Sequence, residues 1–206
     1  MNILAIGPHP DDIEFGCGGT LIKYARAGHQ VHLYIITDGS FGGDPQTRRN
    51  EQQCAADCIG ASSLCWGNLR DTEVVDDREL ILSIESVVKK VKPDIVLVNY
   101  QEDIHQDHRA VAMAAVSATR YVKEVLFFEV PTTSNFNPQI FVNIEDVLED
   151  KMKLLGHHAS QVDRTRVLDL TILESARSCA NFRGFQGRVK YAEGFVPLRV
   201  LRDIEK

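Results

Sequence analysis

No stretch of this 206-residue chain is apolar over the roughly 18 residues that a membrane-crossing helix needs, so no helical membrane span is expected. The start of the chain has no basic region and no signal-like apolar run, and a cytoplasmic protein is expected. Positive charge is in the minority: 23 Lys and Arg stand against 29 Asp and Glu, a net charge of −6. That balance argues against a nucleic-acid partner and leaves small neutral substrates open. Cysteines are few, scattered and odd in number (Cys17, Cys54, Cys58, Cys65 and Cys179), which fits a reducing compartment rather than a disulfide framework. Cys54 and Cys58 fall four apart on a predicted helix and read as half-buried thiols rather than a metal or redox pair. Repeats, low-complexity stretches and long linkers are absent. With 44% hydrophobic residues, the chain reads as a single domain over residues 1–206 with a substantial core.

Apolar runs and helical spacing alternate along the sequence. Strands are predicted at Asn2–Gly7, Gln30–Ile36, Ser62–Trp66, Pro93–Asn99, Val125–Glu129 and Gln139–Asn143. Helices are predicted at Cys17–Ala27, Thr47–Ile59, Arg78–Val91, His108–Tyr121 and roughly Ile144–His158. Thr37 to Pro45 is a Gly-rich loop, and Asn181 to Lys206 reads as a less regular tail closing over one sheet edge. The alternation implies an α/β fold with a mainly parallel sheet covered on both faces.

Two polar clusters end two of the predicted strands. Pro8-His9-Pro10-Asp11-Asp12 follows Ile3–Ile6, and His105-Gln106-Asp107-His108 follows Ile95–Val98 after a short loop. Ligands bind such sheets at the carboxyl ends of the strands. Two imidazoles and a carboxylate suffice to hold one divalent metal with a position left open, so the pair of clusters points to a metal-dependent hydrolase. Each cluster alone has a plainer reading: Asp11 or Asp12 could cap the following helix, and the second cluster could be a charged turn with a cap. Their joint occurrence at two strand ends favours the metal. His29 and His32 have no acidic neighbours and read as edge or surface residues. A nucleotide-binding reading fails because the first loop lacks Gly-x-Gly-x-x-Gly and carries acids that would repel a pyrophosphate.

These residues resemble the LmbE-like, or PIG-L, family of metal-dependent N-deacetylases. His9–Asp12 is similar to its His-Pro-Asp-Asp signature, and His105–His108 to its His-Pro-Asp-His signature. Gly18-Gly19-Thr20, Thr37-Asp38-Gly39, Arg48 with Glu51, His158-Ala159-Ser160-Gln161, Arg183-Gly184 and Tyr191–Phe195 extend the likeness over nearly the whole chain. Two departures stand out: Gln106 replaces a proline, and Ile13 occupies a place where many members carry glutamate, with Glu14 next to it.

The resemblance implies a Rossmann-like three-layer α/β sandwich. It also implies His9, Asp12 and His108 as metal ligands, with zinc the default ion and iron(II) compatible. Asp11 is implied as general base, and His105 as a charged stabiliser of the oxyanion, oriented by Asp107. Either His105 or protonated Asp11 would deliver the proton to the leaving amine. Arg48 and His158 are implied near the substrate, with a surface pair to Glu51 as the plain alternative for Arg48. His158 either completes the pocket or supports His105, while His157 is expected to be exposed. Arg183 and Glu193 read as buried partners that fix the C-terminal segment. The implied reaction converts the acetamide of an N-acetylglucosamine-type conjugate to amine and acetate, in a homo-oligomer, trimer or hexamer. The competing readings are an amidase of thiol conjugates or other small amides, and a non-catalytic metal- or sugar-binding protein. Pocket walls are expected from Gly39–Thr47, Asn68–Asp76 and Thr132–Pro138.

Overall fold

The computed structural model describes residues 1–201. Its elements are β1 (Asn2–Gly7), α1 (Asp12–Arg26), β2 (Gln30–Thr37), α2 (Pro45–Ile59), β3 (Ser63–Leu69), α3 (Arg78–Val91), β4 (Ile95–Asn99) and α4 (Gln106–Ala118). They continue as β5 (Glu124–Phe128), β6 (Ile140–Asn143), α5 (Leu148–Gly156), α6 (Ile172–Gly187) and β7 (Ala192–Arg199). One sheet holds all seven strands in the order β3-β2-β1-β4-β5-β7-β6. The first five in that order are parallel, and β7 lies antiparallel between β5 and β6. The expected mainly parallel α/β sandwich is therefore the fold that forms.

Period-two alternation sorts each strand between two cores. Ile3, Ala5, Leu33, Leu97 and Phe128 face α1, α2, α5 and α6. Leu4, Ile6, Val96, Val98 and Phe127 face α3 and α4. Side-chain caps start several helices: Asp44 accepts from Thr47 N at 2.8 Å with Pro45 in the first turn, and Asp77 accepts from Leu80 N.

Four expectations need correction. The helix predicted from Cys17 begins at Asp12, and Cys17 marks a break inside it, with φ −143° and ψ 15°. Every residue from Asp12 to Leu21 is buried, so no amphipathic period announces the earlier start. The helix predicted over Ile144–His158 divides into a 3-10 turn at Glu145–Val147 followed by α5. The tail is regular as far as it is described: α6 runs to Gly187 and β7 follows, while residues 202–206 lie outside the described residues. Gly194 and Pro197 disguise β7; Pro197 sits where the register against β5 shifts, a place that tolerates a missing N–H donor. Finally, Cys54 and Cys58 are exposed rather than half-buried.

Candidate metal centre

β1 and β4 are neighbours, in register from Ile3 opposite Ile95 to Ile6 opposite Val98. Strand order reverses between them, so their carboxyl ends open a crevice at the topological switch point. The two polar clusters meet there. His9 Nδ1 lies 3.2 Å from Asp12 Oδ2 and 3.2 Å from His108 Nε2, and His108 Nε2 lies 3.3 Å from Asp12 Oδ2. Three donors about 2.0–2.1 Å from a tetrahedral zinc stand roughly 3.3 Å apart, so this nearly equilateral triangle fits one divalent ion. The donors also match: two imidazoles and one carboxylate, all buried.

Neighbouring groups hold each member of the triangle. The Asp12 carboxylate accepts from His9 N at 2.9 Å. Asp71 Oδ1 and Asp107 Oδ2 both stand 3.1 Å from His9 Nε2, and Asp103 Oδ2 stands 3.1 Å from His108 Nδ1. Carboxylates behind ligating imidazoles fix the ring orientation. Sequence reasoning missed Asp71 and Asp103. Asp71 lies inside the loop expected to wall the pocket, which is the one signal that could have found it. Burial works against charge on His108, yet Asp12 and Asp103 outweigh it and lift the imidazole to about 9. Burial also opposes charge on His9, and Asp107, Asp12 and Asp71 together raise it well above its ordinary value. Asp12 is held well below the usual carboxylate range by His108 and His9, although burial pulls the other way.

Asp11 stands beside the triangle and contributes no edge to it. It occupies the position before α1 at φ 101°, yet its carboxylate makes no capping bond. A non-glycine residue in that conformation stores strain, which the helix-cap reading does not explain. Arg48 Nη2 instead donates to Asp11 Oδ2 at 3.2 Å and to Pro10 O at 2.5 Å, and Nη1 donates to Gly39 O at 3.1 Å. Gly39 sits at φ 66°, and a Cβ there would lie 2.5 Å from Arg48 Nη1. Burial pushes the Asp11 carboxyl up to about 6 despite the opposing pull of Arg48. Arg48 forms no surface pair with Glu51, which accepts from Ser160 N and Oγ, each at 2.7 Å.

The second cluster also departs from expectation. His105, at the start of α4, accepts from Asp107 N through Nδ1 at 3.2 Å. Its proton is therefore assigned to Nε2, and burial together with His9 and His108 lowers its pKa. Asp107 Oδ2 accepts from Thr72 N at 2.7 Å and faces His9; its charge favours a protonated His105, as expected, but burial, His9 and His108 outweigh it. His158 is buried at the opposite wall, with Nε2 3.5 Å from Glu14 Oε2, and does not support His105. His157 is exposed.

These groups line a cavity of about 400 Å³ with apolar walls from Phe15, Val130, Leu155 and Ile172. That size suits a small molecule. At its mouth, Phe41 belongs to the 3-10 turn Ser40–Gly42 and is 76% exposed. Arg183 and Glu193 lie away from the triangle. Arg183 pairs twice with Glu129, at 2.6 and 2.7 Å, and Glu193 pairs with Lys151 at 2.5 Å. No helix among the described residues is long and apolar enough to cross a membrane.

Residues 4–119 match the family model described as PIG-L: GlcNAc-PI de-N-acetylase. The uncharacterized deacetylase YaiS of Escherichia coli (strain K12) is 34% identical over 167 residues, covering 77% of this chain and 90% of that protein. The N,N'-diacetylchitobiose deacetylase from Pyrococcus horikoshii, solved with its inhibitor MPG, is similar with a TM-score of 0.85 at 27% identity, over 95% of this chain and 83% of that chain. The 4-carboxy-2-hydroxymuconate hydratase from Pseudomonas putida KT2440 also has a TM-score of 0.85, at 21% identity and full coverage of both chains. That last likeness concerns the fold alone, and a fold does not fix a reaction.

Proposed function

This chain belongs to the PIG-L family, and from that premise we propose that it is a zinc-dependent N-deacetylase. Its reaction hydrolyses the acetamido group of an N-acetylated amino sugar to the free amine and acetate. The observation that carries this reading is Asp11: a carboxylate pinned beside the His9–Asp12–His108 triangle and left out of it. A pure metal-binding site has no use for it.

His9, Asp12 and His108 would hold a divalent ion, zinc or iron(II), which would supply Lewis-acid polarisation of the amide carbonyl and acidify the attacking water. Asp11 takes a proton as water oxygen bonds to the carbonyl carbon. It then returns that proton to the amine nitrogen as the C–N bond breaks. Neutral His105 offers its Nε2–H to the developing oxyanion, and Arg48 and His158 face the substrate from the other wall. The name of the family and the diacetylchitobiose deacetylase support a sugar rather than a thiol conjugate. The five unpaired cysteines support a reducing, cytoplasmic setting. Self-association into a trimer or hexamer belongs to this reading, and exposed Phe182 and Phe185 on α6 give it an apolar face.

The test is acetate and amine release from N-acetylglucosamine and a panel of its glycosides, by metal-stripped protein resupplied with zinc or iron(II). Equal yields of both products that require the metal support the reading. A folded, metal-loaded protein that releases acetate only from non-sugar amides moves it to the amidase class, and one that releases none from any amide contradicts it.

A further inference from the structure

Glu14 is wholly buried in the first turn of α1, one residue past Ile13. One helical step turns a side chain by about 100°, which separates the two faces. Ile13 packs in the core beneath the sheet. Glu14 meets α2 and the end of α5: Gln52 Nε2 donates to its Oε1 at 2.6 Å, and its Oε2 stands 3.5 Å from His158 Nε2.

This cluster is poorly satisfied for its depth. Glu14 Oε2, Gln52 Oε1 and both ring nitrogens of His158 are buried and make no hydrogen bond. Such groups cost stability, and an apolar trio would fill the space more cheaply. The contrast is Glu193, also buried, which accepts from Gly19 N, Thr20 N, Thr20 Oγ1 and Lys151 Nζ at 2.5 to 2.8 Å. Glu193 is a stability device; Glu14 is not. His158 lines the same cavity as Asp11 and Arg48, and its segment is anchored elsewhere by Ser160 on Glu51 and Gln161 on Gly42. The fold therefore places His158 without help from Glu14 and leaves only the ring orientation to be set. Hydrogen bonds that serve a reaction are often long before substrate binds.

We propose that Glu14, held by Gln52, is a positioning residue that fixes which ring nitrogen His158 presents to the amide substrate. The inference rests on the deacetylase reading and deepens it.

The test is a double-substitution cycle on the metal-loaded full chain, with a spectroscopic arm. Glu14→Gln lowers kcat by roughly 10- to 100-fold, as loss of an outer partner does, with KM and bound metal unchanged. In a His158→Gln background the same substitution changes kcat by less than about twofold, because the two residues act as a unit. Gln52→Ala, which leaves the Glu14 and His158 side chains in place, shifts kcat in the same direction by less. In ¹⁵N spectra of the substrate-free protein, with the His158 signal assigned by His158→Gln, Glu14→Gln moves the His158 ring nitrogens. Losses that multiply in the double variant overturn the proposal, as does a His158 signal that Glu14→Gln leaves in place. The spectroscopic arm decides the contact even where no amide is cleaved, which separates failure of this inference from failure of the deacetylase reading.

Discussion

The break in α1 allows a sharp stability prediction. In an unbroken helix, Phe15 O would accept from Gly19 N. Instead Lys151 Nζ donates to Phe15 O at 2.6 Å, and Glu193 Oε1 accepts from Gly19 N at 2.8 Å. The two charges, 2.5 Å apart, are inserted across a helical hydrogen bond that Cys17 leaves open. Side-chain insertion of this kind is a recognised cause of a helix break. Glu193→Ala removes four hydrogen bonds and leaves the buried Lys151 ammonium with a single carbonyl partner. Breaking a buried pair from one side costs about 3–5 kcal/mol. For a chain of this size that corresponds to a fall in Tm of roughly 6–20 °C. Lys151→Met costs less, about 1–3 kcal/mol, because the Glu193 carboxylate it leaves without a counter-charge keeps three donors and the other group stranded is Phe15 O. The double substitution falls short of the sum of the two by about 0.5–3 kcal/mol. Urea unfolding of the four proteins under one metal condition measures all three values. Costs that add, or a Lys151→Met variant less stable than Glu193→Ala, would refute the insertion argument.

Two further outcomes follow from the site. With His9 and His108 as the proposed ligands, metal uptake displaces the protons that both imidazoles hold, His108 being raised to about 9 and His9 well above its ordinary value, so apparent affinity rises with pH through that range. Each displaced proton gives about tenfold per pH unit, read by competition with a chelator at several pH values; a flat profile would contradict the proposed ligands. Phe41 is held at the cavity mouth by its N–H on Asp71 Oδ2 at 2.8 Å, while its ring stays exposed for a sugar face. Phe41→Ala therefore raises KM for N-acetylglucosaminides by roughly 2- to 10-fold with kcat preserved, and an unchanged KM would remove the ring from the subsite.

How much the sequence disclosed depends on the kind of signal. Strands β1, β2 and β4 announce themselves through apolar runs bounded by turn residues, and α3 through its helical spacing, so the switch point and its two clusters were legible. The start of α1 was not, because an element buried all round has no period. β7 was hidden for a different reason: its Gly194 and Pro197 are accommodated by the neighbouring Pro138 and by a register shift, neither visible locally. At the site, the triangle follows from strand ends that the topology makes adjacent. Asp71 and Asp103 come from loops whose course only tertiary structure decides. The role expected of Asp107 is met only in part, because its backbone N–H, and not its carboxylate, meets His105, where burial, His9 and His108 outweigh its charge.

The central claim is that Asp11 moves protons beside a metal it does not hold. Asp11→Asn keeps the His9–Asp12–His108 triangle intact and removes the base. The deciding measurement is metal content and acetate release of that variant beside the parent protein. The account predicts stoichiometric metal in both and a turnover lower by about 10²–10⁴-fold in the variant. Undiminished turnover, or loss of the metal together with the activity, would contradict it.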